Sequence, residues 1–424
     1  MNPCFPITIR RLGALSIAVL GTLQVAAQSP LPESMPEREG FDAHRLNRVE
    51  HFVERTVYTG QRTGAASIVA RNGKIVQWTT NGFADAERGA SMGPDTIFRI
   101  YSMSKVITSV AVLQLMEVGA LTLDQEATTW LPELANLRVF VGGDAESPVT
   151  QPTTKPITIR RLLNHTAGFS YDIFDGSPVH ELYRRADLWS ADGFDDFLER
   201  VATLPLIAEP GSQYNYSISI DLLGAIVERA SGQPFEAYLK QHIFEPLKMD
   251  DTSFSVPEEK LARLAKPYTL DANQKLVEAD PILGVTPEPG DGIPSGGGGL
   301  FSTMGDYLRF AQALLNGGIL EGERILGRKT VELALRNSLD ETESPVNAFS
   351  PADGWGLISA VRLDTAKAHE PGSDGLFHWS GAASTHFFVD PREKLIALFF
   401  TQHFPFDEFA LFQRFRIAVY QALE

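Results

Sequence analysis

The sequence predicts an α/β domain whose antiparallel sheet is assembled from both chain ends, with a mostly helical region inserted between them. Three observations carry this. Strand-like runs occur early, at residues 66–70 and 74–79, and again late, after Gly354. The long middle, roughly residues 121–315, alternates helical segments with Pro- and Gly-rich loops, and an amphipathic helix pattern stands at either end, over 42–57 and 407–423. At 424 residues the chain can bury a large core, as one domain or two interleaved ones.

Taken in order, residues 1–27 read as a secretory signal. Arg10-Arg11 precede an apolar stretch over 12–25, and Val25-Ala26-Ala27 offer a small-residue cleavage site before Gln28. That stretch is short for a membrane span, and no later run of about 18 continuous apolar residues occurs, so a soluble, secreted or periplasmic mature chain is expected. The single cysteine, Cys4, lies ahead of the stretch, which leaves the mature chain without thiol chemistry or a cysteine metal site. Residues 28–39, with Pro30, Pro32 and Pro36, read as an extended linker to a domain spanning 40–424. Its α/β part is drawn from about 40–100 and 350–424, and its helical part lies between.

The early strand runs are joined through Asn72-Gly73, a strong hairpin signal. From Ser104 to Val118 apolar residues cover most of a helix circumference, as in a helix buried on nearly all sides. After Gly354, residues 355–363, 377–379, 385–390 and 394–400 read as consecutive antiparallel strands, and 407–423 as a closing helix. The formal net charge is −16. So acidic a chain is repelled by nucleic acid and by anionic membranes, and neither is expected as a partner.

Ser102-Met103-Ser104-Lys105 stands at the head of the apolar helical run. A serine and a lysine three residues apart share a helix face, so the lysine nitrogen can reach the hydroxyl and, if neutral, take its proton. A lysine's ordinary pKa, about 10.4, opposes this, and burial or a second cation would be needed to lower it. A tyrosine beside the lysine could share the task, one proton being held between two groups that titrate as a unit.

Rival chemistries lack their residues. No serine sits in G-x-S-x-G. The nine histidines are scattered and none forms H-E-x-x-H, so neither a metal nor another cofactor is expected. Gly296 to Gly299 lack the G-K-[S/T] of a phosphate loop and read instead as a close backbone approach before a helix near Gly305, where Asp306 falls in the first turn.

Landmarks spread from Thr96 to Pro391 resemble the serine β-lactamase-related family of class C β-lactamases, D-alanyl-D-alanine peptidases and family VIII carboxylesterases. Thr96-Ile97-Phe98-Arg99-Ile100-Tyr101 leads into Ser102 and Lys105. Then come Leu162-Leu163-Asn164-His165-Thr166-Ala167-Gly168, Pro210-Gly211-Ser212 before Tyr216-Ser217, the Gly296 to Gly299 run, and Phe377-His378-Trp379-Ser380-Gly381-Ala382. The resemblance implies a β-lactamase/transpeptidase-like fold, with Ser102 as acylated nucleophile, Lys105 as its proton partner and Tyr216, favoured over Tyr214 on motif register, in proton transfer. It places the third motif and substrate pocket at Trp379, Ser380 and Gly381, and an oxyanion hole at the backbone N–H groups of Ser102 and Ala382.

Two departures stand out. Ile218 replaces the asparagine, and Trp379 the lysine, that β-lactamases of this type use on their substrates. Both point toward the esterase branch: a small-molecule ester or amide substrate, and most simply a carboxylesterase acting on short acyl esters. On the same fold the alternatives are a β-lactamase, a D-amino-acid peptidase, an acyltransferase, or a non-catalytic penicillin- or peptidoglycan-binding module. His165, His378 and His386 lie in or near these motifs and read as hydrogen-bonded structural histidines with no catalytic role.

Overall fold

A computed structural model describes Met1 and residues 29–290, 292–339 and 350–424. Apart from Met1, the segment read as a signal lies outside the described residues, Cys4 included.

Helix α1 (Ala43–Tyr58) begins where the Asp42 side chain accepts the Arg45 N–H, and it buries Leu46, Val49 and Val53. Strand β1 (Gly64–Arg71) turns through Asn72 and Gly73, both at positive φ (54° and 79°), into β2 (Lys74–Asp85) and then β3 (Ala90–Ser91). Helix α2 (Ser104–Glu117) is buried on nearly every side, as its composition requires. The helical region includes α3 (Ser219–Ser231) and α4 (Met304–Leu315). Thr303 caps α4 by accepting the Asp306 N–H, which puts Asp306 in the first turn. The chain then returns through β4 (Asp353–Trp355), β5 (Ala360–Arg362), β6 (Phe377–Gly381), β7 (Thr385–Asp390) and β8 (Leu395–Phe400) to helix α5 (Leu411–Tyr420).

These strands form one eight-stranded antiparallel sheet in the order β4-β5-β6-β7-β8-β1-β2-β3. Its centre joins the two chain ends, Ala66 standing opposite Phe400. Side-chain alternation splits the core in two. Val69, Phe388, Ala397 and Phe399 pack under α1 and α5, while Ile68, Phe387, Leu398 and Phe400 face α2 and the helical region. Burial on both faces explains why β8 reads as an unbroken apolar run.

Three expectations change. Residues 355–363 are not one strand but the last residue of β4, a turn and then β5. At Gly356 a Cβ would lie 2.3 Å from the Ala334 carbonyl oxygen, so the chain turns there against α-helical backbone. The closing helix starts later than read, because Ala410 adopts a left-handed φ of 50° and the Asp407 carboxylate accepts the Phe412 N–H at 3.1 Å. The stretch read as a linker is docked: Pro32 and Ser34 bracket Ile75 by backbone hydrogen bonds, and Pro36–Glu39 closes into a 3-10 turn whose Glu39 pairs with Lys74. The middle region also holds an antiparallel hairpin, Arg138–Gly143 with Pro148–Pro152.

Candidate active site

Phe98–Arg99 pairs with Phe301–Ser302, and Tyr101–Met103 forms a single 3-10 turn into α2. Ser102 is half-exposed on that turn. Lys105, one turn on, is only 1 % exposed, yet its Nζ lies 3.3 Å from Ser102 Oγ. Burial of an ammonium-bearing side chain requires partners. Lys105 Nζ donates to the Gly297 carbonyl at 2.6 Å and to the Tyr171 hydroxyl at 3.0 Å, and it sits 4.7 Å from the centre of the Tyr216 ring.

Tyr171 and Asp221 were not singled out in the sequence, and they complete this cluster. Asp221, fully buried on α3, accepts from Ser295 Oγ at 2.5 Å, from the Gly297 N–H at 2.9 Å and from the Tyr171 hydroxyl at 3.3 Å. Burial pushes the Asp221 carboxyl above its ordinary value, while the Lys105 charge and these hydrogen bonds pull against the rise. Burial, reinforced by Asp221, drives the Tyr171 phenol well above 10, so it remains a hydroxyl and donates. The glycine run is explained here. A Cβ on Gly297 would stand 2.3 Å from Asp221 Oδ2, so backbone alone fits between that carboxylate and Lys105.

Tyr216, rather than Tyr214, lies across Lys105. It is half-exposed, whereas Tyr214 is buried against His165 and Trp355. The Tyr216 hydroxyl accepts the Trp379 indole N–H at 3.3 Å, the two rings being 5.4 Å apart. Trp355 meets Trp379 edge-on at 4.4 Å and is anchored through its own N–H to the Leu163 carbonyl. Trp189, 6.1 Å from the Tyr171 ring, extends the aromatic wall. Ile218 is completely buried in the apolar core.

Trp379 and Ser380, read together as pocket residues, point to opposite faces of β6. Trp379 faces Tyr216, whereas Ser380 Oγ is bonded to His386 Nδ1 at 2.8 Å under α5. Gly381 lies against the chain entering the serine turn, where a Cβ would be 2.3 Å from the Ile100 carbonyl oxygen. This close fit sets Ala382 beside the turn that carries Ser102. The histidines divide as well. His378 and His386 hydrogen-bond on the α5 side, to Asp353 and Ser380, as read. Both ring nitrogens of His165, by contrast, lack a hydrogen-bond partner among the described residues.

The Beta-lactamase family model matches residues 47–422. The chain belongs to the Beta-lactamase family. Within this family it is 33 % identical over 390 residues to "Esterase EstB" of Burkholderia gladioli, covering 86 % of this chain and 93 % of that one. Among solved structures it resembles "EstCE1, a hydrolase with promiscuous acyltransferase activity" at TM-score 0.75 and 25 % identity, over 89 % of this chain and 99 % of that one. It also resembles unliganded simvastatin synthase (LovD) of Aspergillus terreus at TM-score 0.75 and 25 % identity, over 89 % and 98 %. The protein is a serine hydrolase of the esterase and acyltransferase branch of the Beta-lactamase family, and its both-ends sheet with a helical region is that family's fold.

Proposed function

We propose that the protein is an exported carboxylesterase that cleaves small, neutral esters through an acyl-enzyme on Ser102. The observation that carries the reading is the position of Lys105 Nζ, 3.3 Å from Ser102 Oγ and 4.7 Å from the centre of the Tyr216 ring. The Lys105–Tyr216 pair accepts the Ser102 proton as Oγ bonds to the ester carbonyl carbon. The N–H groups of Ser102 and Ala382 receive the developing oxyanion. The C–O bond to the alcohol then breaks, the pair returns the proton to the departing alkoxide, and water repeats the sequence to release the acid. Tyr171 and Asp221 hold the Lys105 amine at this post. Trp379 and Ile218, where β-lactamases of this type carry lysine and asparagine, support esters over carboxylate-bearing β-lactams.

A second reading, acyl transfer to an alcohol in place of water, is supported by the aromatic wall of Tyr171, Trp189, Tyr216, Trp355 and Trp379, which disfavours water near the acyl-enzyme. The deciding assay sets a p-nitrophenyl ester series, with and without added alcohol, beside a chromogenic cephalosporin, using Ser102→Ala as control. Ester turnover surviving Ser102→Ala overturns the mechanism, and cephalosporin turnover exceeding ester turnover overturns the assignment. Ester product forming at the expense of acid establishes transfer. Export is tested by the N-terminal sequence of the protein recovered outside the cytoplasm, expected to begin near Gln28.

A further inference from the structure

His165 has three properties that are costly in combination. Its side chain is fully buried, both ring nitrogens lack a partner among the described residues, and its backbone is left-handed at φ 58°. A structural histidine is ordinarily hydrogen-bonded, as His378 and His386 are here. His165 instead touches rings: Tyr216 at 4.7 Å, Trp355 at 5.2 Å and Tyr214 at 5.9 Å between centroids.

The backbone explains the arrangement. The His165 carbonyl accepts the Asn215 N–H at 2.8 Å, and the flanking Thr166 carbonyl accepts the Gly211 N–H at 2.7 Å. One residue therefore grips the loop carrying Tyr216 twice, by its carbonyl at Asn215 and by its ring against the tyrosines on either side of Asn215. The left-handed turn is what allows both grips. Among residues other than glycine, that conformation favours Asn, Asp and His. Of these only His is aromatic.

We infer that His165 is a positioning residue, whose uncharged imidazole serves as a flat spacer fixing the Tyr216 ring over Lys105. It touches neither substrate nor reacting atoms. The groups surrounding this contact are Lys105 from α2, Tyr171 from the preceding loop with Asp221 behind it on α3, and Tyr214 from the gripped loop itself. Burial and the Lys105 charge both hold the imidazole far below 6.5, so it stays neutral across the working pH range.

The inference rests on the serine hydrolase reading and separates backbone from ring in its test. His165→Asn retains a residue suited to the left-handed turn but removes the ring; His165→Phe retains a ring on a backbone that resists the turn. Both are assayed on a p-nitrophenyl ester, with active sites counted by a fluorophosphonate, and Tm is recorded. Per titrated site, His165→Asn is expected to lower kcat at least tenfold with KM within threefold. His165→Phe is expected to lose Tm while holding kcat per site within threefold of the native enzyme. Tyr214→Leu, which loosens the imidazole without touching its backbone, is expected to lower kcat per site several-fold, and it remains informative if either histidine variant fails to fold. Native kcat per site in His165→Asn or, should that variant not fold, in Tyr214→Leu overturns the inference. So does an equal loss per site in both histidine variants. Failure of the underlying reading looks different: Ser102→Ala would then retain turnover.

Discussion

The two faces of β6 hold charge in opposite ways. Toward the site, Lys105 is held by a carbonyl, a tyrosine hydroxyl and aromatic rings, with Asp221 kept one hydroxyl away. Behind the strand, Arg362 pairs with Asp353 at 2.5 Å and Glu370 at 2.8 Å, and Arg416 shares Glu370 at 2.5 Å, all of them buried or nearly so. Direct ion pairs fix geometry but fully engage their charges. Lys105 is instead held without a direct carboxylate partner among the described residues, which leaves its amine within 3.3 Å of Ser102 Oγ. The comparison teaches that one strand separates the two tasks, with rigidity under α5 and reactivity toward α2.

The largest expected effect is on the reactive face. Ser102→Ala should lower kcat/KM for a p-nitrophenyl ester by about 10⁴-fold or more, since removing the proposed nucleophile removes the covalent route. Tyr216→Phe should cost about 10²- to 10⁴-fold in kcat, the range for a general acid–base group, with Tm little changed. If Tyr216→Phe instead unfolded the chain at normal kcat per site, the two faces would not differ as described.

The rear face should answer in stability. Asp353→Asn, by leaving Arg362 short of its counter-charge, should destabilise the fold by about 3–5 kcal/mol in a urea melt, with kcat per site retained. A large loss of kcat without loss of stability would reverse the comparison. Asp221→Asn sits between the extremes: about a tenfold fall in kcat is expected from a displaced Lys105, checked by the same active-site-normalised assay.

The remaining effect is a pH dependence, spread over several groups that partly cancel. His165, His378 and His386 are held below the ordinary histidine value, chiefly by burial, and so is His403, at about 3. The unfolded chain protonates these imidazoles near pH 6.5 and the folded chain does not. Their stabilising contribution is therefore complete above that pH and is lost below it, by at most about 1.4 kcal/mol per imidazole per pH unit. Asp306, raised by burial to about 6, runs the other way and offsets part of the loss. Urea midpoints should fall between pH 7.5 and 5.5. A rise would show that raised carboxyls such as Asp306 outweigh the imidazoles.

Local signals were the legible ones. Asn72-Gly73 announced its hairpin, and the apolar circumference of α2 announced its burial, because each effect lies within a few residues of its cause. The extent of β4 and β5 was not legible: Leu357 and Ile358 are buried in a turn, and an apolar run does not reveal that it bends. Ser102, Lys105, Tyr216 and Trp379 stood in recognisable motifs, and the fold brings them to one place. Tyr171 belongs to no motif, and its partner Asp221 lies far along the chain. A signal for Asp221 did exist. Ile218, Gly224 and Ala225, three and four residues away, make its helix face apolar, and a carboxylate among them requires a buried partner. His165 was assigned the ordinary role of a buried histidine, because its missing hydrogen bonds appear only in three dimensions.

The seam of the sheet bears on how this protein is made. Ala66 waits opposite Phe400, and Gly381 closes on the carbonyl of Ile100, so residues synthesised early have their partners well over half a chain length later. During translation the N-terminal hairpin and the Ser102 turn emerge without the strands that complete them. A nascent or C-terminally truncated chain thus carries Ser102 and Lys105 but lacks the β6–β7 turn that presents Ala382. The contact that sets Ala382 beside the Ser102 turn therefore closes only when the late strands have emerged.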